Sequence, residues 1–256
     1  VLEQQFLQFF GLGQLDEPVF FSHAAKKSDA EAPPMILQLA WLRRACQVAG
    51  QIVSAPYDEA ALRQALPRLA AMRSAPEETR HVARLLAECG VRFVVVEPIA
   101  GTKIDGACFW LADDQPVVAL SLRLDRIDNF WFVLRHELEH VLHRHGRERG
   151  YILDQEIEAT ASEQINEEEV VANTAAGAFC VDPAEMSGFI ARVNPFFKEE
   201  RVVLFAQRLN VHPGLVVGQL QRRLGRWDLF RKHQVKVRSF VTGSAHTDGW
   251  GVVHTD

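Results

Sequence analysis

The densest chemistry in this 256-residue chain lies in Arg135-His136-Glu137-Leu138-Glu139-His140, an H-E-x-x-H sequence. Residues four apart in a helix share a face, one turn along the axis, so His136 and His140 present two imidazoles to one metal ion. Glu137 is turned by about 100° from His136 and reaches the ion's open side. A carboxylate there takes the proton as a water attacks a carbonyl, and zinc (Zn2+) lowers that water's pKa towards about 7. The neighbouring residues describe a buried helix: Trp131, Leu134, Leu138 and Val141 on one side, Phe132 and Val133 near the other. A helix apolar nearly all round belongs inside the domain. Two histidines and a glutamate buried there without partners are costly, and a metal removes that cost. The plainer alternative is a surface helix with incidental His and Glu.

Catalytic zinc generally takes three protein ligands. His143 shares the face of His136 and His140, but positions 136 to 143 span about 10 Å along the axis, too far for bonds of about 2 Å to close. The third ligand therefore comes from elsewhere. The long-spacer metzincin pattern requires Gly at 143 and His at 146; this chain has His143 and Gly146, which excludes that class. Downstream, Glu169 and Asn173 are four apart and share a face with Ala172 and Ala176, small residues that let a second helix lie close. Glu169 then completes a gluzincin-like site of two histidines and one glutamate. Asn173 is placed to bond the free ring nitrogen of a ligand histidine. The competing reading makes Asn166 a helix N-cap and Glu169 its capping-box partner. Glu167 and Glu168 also compete for the ligand position.

Positioning these groups takes two helices and something to pack them on. Helical periodicity covers about 35–49, 58–73 and 77–89. Gly90 ends the third helix, and strands follow at 91–97, 107–112 and 116–122, the last two joined through Asp113-Asp114 as an antiparallel hairpin. The helix carrying the motif is expected to start after Asp128 or Asn129 and to run to Gly146. Residues 150–169 hold seven acidic groups and no basic one; they read as a solvated loop entering the second helix, which continues to about Phe179. Two more helices fit 197–209 and 213–224. The expected fold class is α+β, a small antiparallel or mixed sheet packed on the H-E-x-x-H helix, with further helices at both ends. Residues 1–34 read as an N-terminal segment and linker, ending in AAKKSDAEAPP. Residues 35–238 read as the main domain, and 239–256, rich in Gly, Ser and Thr, as a C-terminal tail that is flexible or strapped onto the surface.

A content of 48 % hydrophobic and 24 % charged residues excludes wholesale disorder. No stretch approaches the ~18–20 uncharged apolar residues of a membrane-spanning helix, and no signal-peptide pattern opens the chain. A cytoplasmic protein with no membrane partner is expected. The net charge of −5 excludes a chain built throughout to bind polyanions. Cys46, Cys89, Cys108 and Cys180 show no C-x-x-C spacing and read as buried free thiols in a reducing compartment. The first residue is Val1, so the numbering is expected to begin inside a longer gene product.

The motif H-E-L-x-H follows the strand Ala119-Leu120-Ser121-Leu122 and the aromatic run Phe130-Trp131-Phe132. It precedes Glu169-Val170-Val171-Ala172-Asn173 and Phe179-Cys180-Val181-Asp182-Pro183. In that order these pieces resemble the ImmA/IrrE family of zinc metallopeptidases, over roughly 90–222. The resemblance implies zinc held by His136, His140 and Glu169, with Glu137 as the base, in an endopeptidase that cuts a specific protein such as a transcriptional repressor. Leu120–Leu122 would then hold the substrate as an added strand. More narrowly, Trp41-Leu42-Arg43-Arg44, Ser121-Leu122-Arg123 and Val211–Gln221 are similar to the branch in which this domain follows an Xre-type helix-turn-helix. Those proteins are often labelled HigA-like antitoxins or regulators. No complete module of that type fits before residue 40, so a DNA contact would run through a domain missing from this chain. The second reading is accordingly a regulatory or sensing module of a DNA-bound regulator that seldom or never cuts. Glu139 departs from the family's glycine before the second histidine and is expected to narrow the cleft or add charge near the metal.

Three weaker signals remain. Residues 205–223 have the rhythm of a helix-turn-helix in a basic surround, but a helix pair closing the core with a solvated basic face explains the same pattern. His143 and His145 are read as solvent-facing or as supports behind a ligand, with steadying of the oxyanion as the alternative. Tyr151 is a further oxyanion candidate. The sequence sets no oligomeric state.

Overall fold

The computed structural model describes residues 2–15, 36–145, 147, 151–155, 167–249 and 252–254. The linker at 24–34, residues 156–166 of the acidic run with Asn166, and residues 255–256 lie outside the described residues. The chain is α+β. Its helices, among the described residues, are α1 (Leu2–Phe10), α2 (Ile36–Ala49), α3 (Glu59–Ala71), α4 (Val82–Glu88), α5 (Ile127–Leu142), α6 (Glu167–Cys180), α7 (Pro183–Val193), α8 (Glu199–Arg208), α9 (Pro213–Leu224) and α10 (Arg238–Val241). The strands are β1 (Arg92–Val96), β2 (Ile104–Trp110), β3 (Pro116–Leu120), β4 (Tyr151–Gln155), β5 (His246–Gly249) and β6 (Val252–His254). They form one mixed sheet in the order β4-β2-β3-β1-β5-β6.

Period-two alternation sorts the strand residues between two cores. Val94, Val96, Val117 and Ala119 pack with Trp41, Leu42, Ala45 and Val48 of α2 on one face. Phe93, Val95, Val118 and Leu120 join α3, α4 and α5 on the other. The central strand β1 runs parallel to both β3 and β5 and is buried on both sides, which is why it reads as an unbroken apolar run. β2 and β3 form the expected antiparallel hairpin. Between Ile104 and Gly106 the register of β2 against β4 slips, so Ile104 faces α2 while Gly106 faces α5.

α5 is buried along most of its length, as its composition requires. It begins at Ile127, slightly earlier than expected, because the Asp128 carboxylate pairs with Arg126 (Nε to Oδ1, 3.1 Å) instead of capping the helix. It stops at Leu142, short of Gly146, because Arg144 turns left-handed at φ 56°. α7 was not expected; Asp182 starts it by accepting from the N–H groups of Ala184 and Glu185, with Pro183 in the first turn.

Three expectations need correction. Residues 151–155, expected as loop, pair with β2 as strand β4. The expected tail supplies β5, which completes the hydrogen bonding of β1; Asp248 is buried there and held by Arg44 of α2, with Nη2 to Oδ1 at 3.0 Å. A substrate strand cannot add at Leu120, because β3 is already paired on both sides, and Ser121 N–H donates to the Asp105 carbonyl at 3.0 Å.

α9 buries Leu215, Val216, Val217 and Leu220 against the core. Its Gly218 lies so close to α5 that a Cβ would stand 2.8 Å from Asp128 Cγ. The helix pair at 199–224 is thus spent on closing the core. Several of its basic neighbours are paired with acids: Arg208 with Glu185, Arg226 with Asp228 and Lys232 with Glu199. All four cysteines are free, and burial pushes the thiols of Cys46 and Cys180 up to about 12. Among the described residues no helix is long and apolar enough to cross a membrane.

Candidate metal centre

α5 and α6 lie side by side, joined by Trp131 against Phe179 with ring centroids 6.2 Å apart. Ala172 and Ala176, fully buried, allow the close approach. Where the helices meet, His136 Nε2 and His140 Nε2 are 3.0 Å apart. Glu169 turns one carboxylate oxygen to each, Oε2 at 3.2 Å from His136 and Oε1 at 3.3 Å from His140. These three residues form a cluster of potential metal ligands with all donor atoms within 4.8 Å of one another. Neither Glu167 nor Glu168 enters it.

The donor set suits a divalent ion. Bonds of about 2.0–2.2 Å in tetrahedral array set neighbouring donors roughly 3.3 Å apart, close to the separations found here. Burial pushes the Glu169 carboxyl pKa up, but hydrogen bonds from His136 and His140 overcome this and hold it well below the usual carboxylate range. The centre sets a half-buried carboxylate against two buried imidazoles, a donor set that can hold a cation.

Glu137 is fully buried on the sheet side of α5. It fits only because β2 carries glycine opposite. A Cβ on Gly106 would stand 2.8 Å from Val133 Cγ1, 3.1 Å from Glu137 Cδ, and closer still to Glu137 Oε1. Gly106→Ala is expected to force Glu137 and Val133 to shift and to destabilise the fold by about 1–3 kcal/mol, read in thermal melts; an unchanged melt would show that Glu137 does not depend on this space.

The remaining candidates separate clearly. Asn173 sits one turn after Glu169, and its buried Oδ1 makes no hydrogen bond, to a ligand imidazole or otherwise, among the described residues. His145 reaches that imidazole instead, with Nδ1 2.9 Å from His140 Nδ1. Burial lowers the pKa of the His145 imidazole, opposed by the charge of Glu168 and reinforced by His140 and His143. His143 is half exposed and bonds Glu139 at 3.2 Å. Glu139 also pairs with Arg135 at 2.6 Å, so its charge is neutralised on its own helix. Phe132 stacks on His136 with centroids 6.4 Å apart, and the Arg222 guanidinium covers the Phe132 ring at 4.2 Å.

Sequence reasoning passed over Gly106, although an isolated glycine in a strand pattern is a known signal of a bulge or a close approach. It also passed over Trp110, whose Nε1–H donates to the His145 carbonyl at 3.0 Å. A family model described as Peptidase_M78, IrrE N-terminal-like domain, matches residues 90–221. The match runs from the start of β1 almost to the end of α9 and contains His136, Glu137, His140 and Glu169. No curated protein matches the chain.

Proposed function

Because the chain belongs to the Peptidase_M78 family of IrrE N-terminal-like domains, we propose that it is a zinc-dependent endopeptidase that cuts a specific protein, with a transcriptional repressor as its substrate. The observation that carries this reading is the meeting of His136, His140 and Glu169 within 4.8 Å beside a buried glutamate one residue after the first histidine. His136, His140 and Glu169 would hold zinc, which when bound would supply Lewis-acid polarisation of a carbonyl or a water.

The chain's own groups do the rest. Glu137, held between α5 and β2, takes a proton from the attacking water and returns it to the departing amine. His140, backed by His145, and His136, flanked by Phe132, keep their Nε2 atoms towards Glu169. The repressor substrate rests on the family likeness.

The test is metal analysis joined to cleavage. One zinc per chain is expected, with cleavage of a candidate repressor lost on chelation and restored by added zinc. Cleavage that survives chelation overturns the reading. A chain that holds zinc, binds the repressor and leaves it intact supports the sensing role instead.

A further inference from the structure

The end of α5 grips His140 twice. After His143 at the cap, Arg144 takes the left-handed conformation, φ 56°, that such turns generally give to glycine. The Arg144 N–H bonds the Val141 carbonyl at 3.0 Å, and the His145 N–H bonds the His140 carbonyl at 2.9 Å. These are the two bonds of a Schellman turn, and they fold the next side chain back onto the helix it has just left. The His145 ring consequently stands with Nδ1 2.9 Å from Nδ1 of His140. It is held there from two further directions. Trp110 of β2 donates to the His145 carbonyl at 3.0 Å, and His143 stacks on the His145 ring with centroids 5.3 Å apart and planes at 22°.

We propose that His145 is a positioning residue whose Nδ1 accepts the Nδ1–H of His140, fixing the tautomer and ring plane that leave His140 Nε2 free to hold a metal. The proposal rests on the metal reading of the centre. Nε2 of His140 faces Glu169 and His136 at 3.3 and 3.0 Å; once a metal replaces the proton at that nitrogen, the ring proton must sit on Nδ1, the atom facing His145. His145 then offers the lone pair of its own Nδ1 and carries its proton on Nε2. Ligand histidines are commonly backed by a carboxylate, a backbone carbonyl or water. An imidazole in that place orients the ligand without adding a charge. Asn173, the residue that spacing alone suggests for this task, has a buried Oδ1 with no hydrogen bond among the described residues.

Three variants of the full chain test this by zinc titration against a competing chelator. His145→Phe keeps a ring to stack on His143 but removes the acceptor; zinc affinity is expected to fall about 10- to 100-fold. His145→Gln keeps an acceptor and is expected to recover most of that loss. Trp110→Phe frees the His145 carbonyl and is expected to cost less than His145→Phe. In the zinc-bound wild type, the His140 Nδ1–H gives a slowly exchanging resonance in 15N-edited NMR, which His145→Phe removes. Equal zinc affinity in wild type and His145→Phe overturns the proposal, as does a glutamine variant as weak as phenylalanine. Should His145→Phe fail to fold, His145→Ala against His145→Gln carries the same comparison. A wild type that takes up no zinc overturns the metal reading itself, which distinguishes that failure from failure of this proposal alone.

Discussion

Glu137→Gln is expected to keep its zinc and to lose cleavage by about 10²–10⁴-fold, the range that a positioned acid–base group supplies. The amide is nearly isosteric with the carboxylate, so the tight fit against Gly106 and Val133 survives. What disappears is the capacity to take a proton at a buried position. Measured on a verified substrate, the loss should appear in kcat, since a general base acts in the transition state and not in substrate binding. Undiminished cleavage would remove Glu137 from the reaction and, with it, the water-attack mechanism.

Glu169→Ala has the second large effect, and it falls on assembly of the centre. Both oxygens of Glu169 face the imidazoles, so alanine leaves a pair of histidines on one helix and no ligand from the other. Zinc affinity should fall by at least the 100-fold that marks the upper range for mere supporting residues. The same change is readable as stability. At a free zinc concentration of 100 times the wild-type Kd, binding stabilises the wild type by about 2.7 kcal/mol, whereas a 100-fold weaker variant gains about 0.4 kcal/mol. Thermal melts with and without zinc measure the difference. A variant that binds zinc like the wild type would move the third ligand to another residue and undo the geometry proposed here.

What the sequence announces and what it conceals follow from the range of the interactions involved. His136 and His140 are legible because four-residue spacing on a helix is a local property, and Glu169 because Ala172 and Ala176 mark a face made for close packing. The α+β class and the hairpin at Asp113-Asp114 are legible for the same reason. Gly106 is not, since its purpose arises only when β2 slips its register and meets α5. His145 is equally hidden: the turn that returns its ring to His140 runs through Arg144, and no glycine advertises it. At Asn173 the spacing alone is no guide, since its buried Oδ1 makes no hydrogen bond among the described residues. β4 and β5 escape notice because such short segments become strands only through partners distant in the chain.

The pairing of Val94 with His246 also bears on how the molecule is manufactured. On the ribosome, β1 emerges before the second half of the chain, and its second flank stays raw while every helix from α5 to α10 is made. Arg44 and Glu97 are in place from the start, ready to latch Asp248 and Arg238 when these arrive. The closing stitch is thus sewn late, and slow long-range strand pairing is when a nascent chain is most open to intruders. A translation product halted before His246 would carry all four key side chains of the centre and still offer an open edge to any foreign strand.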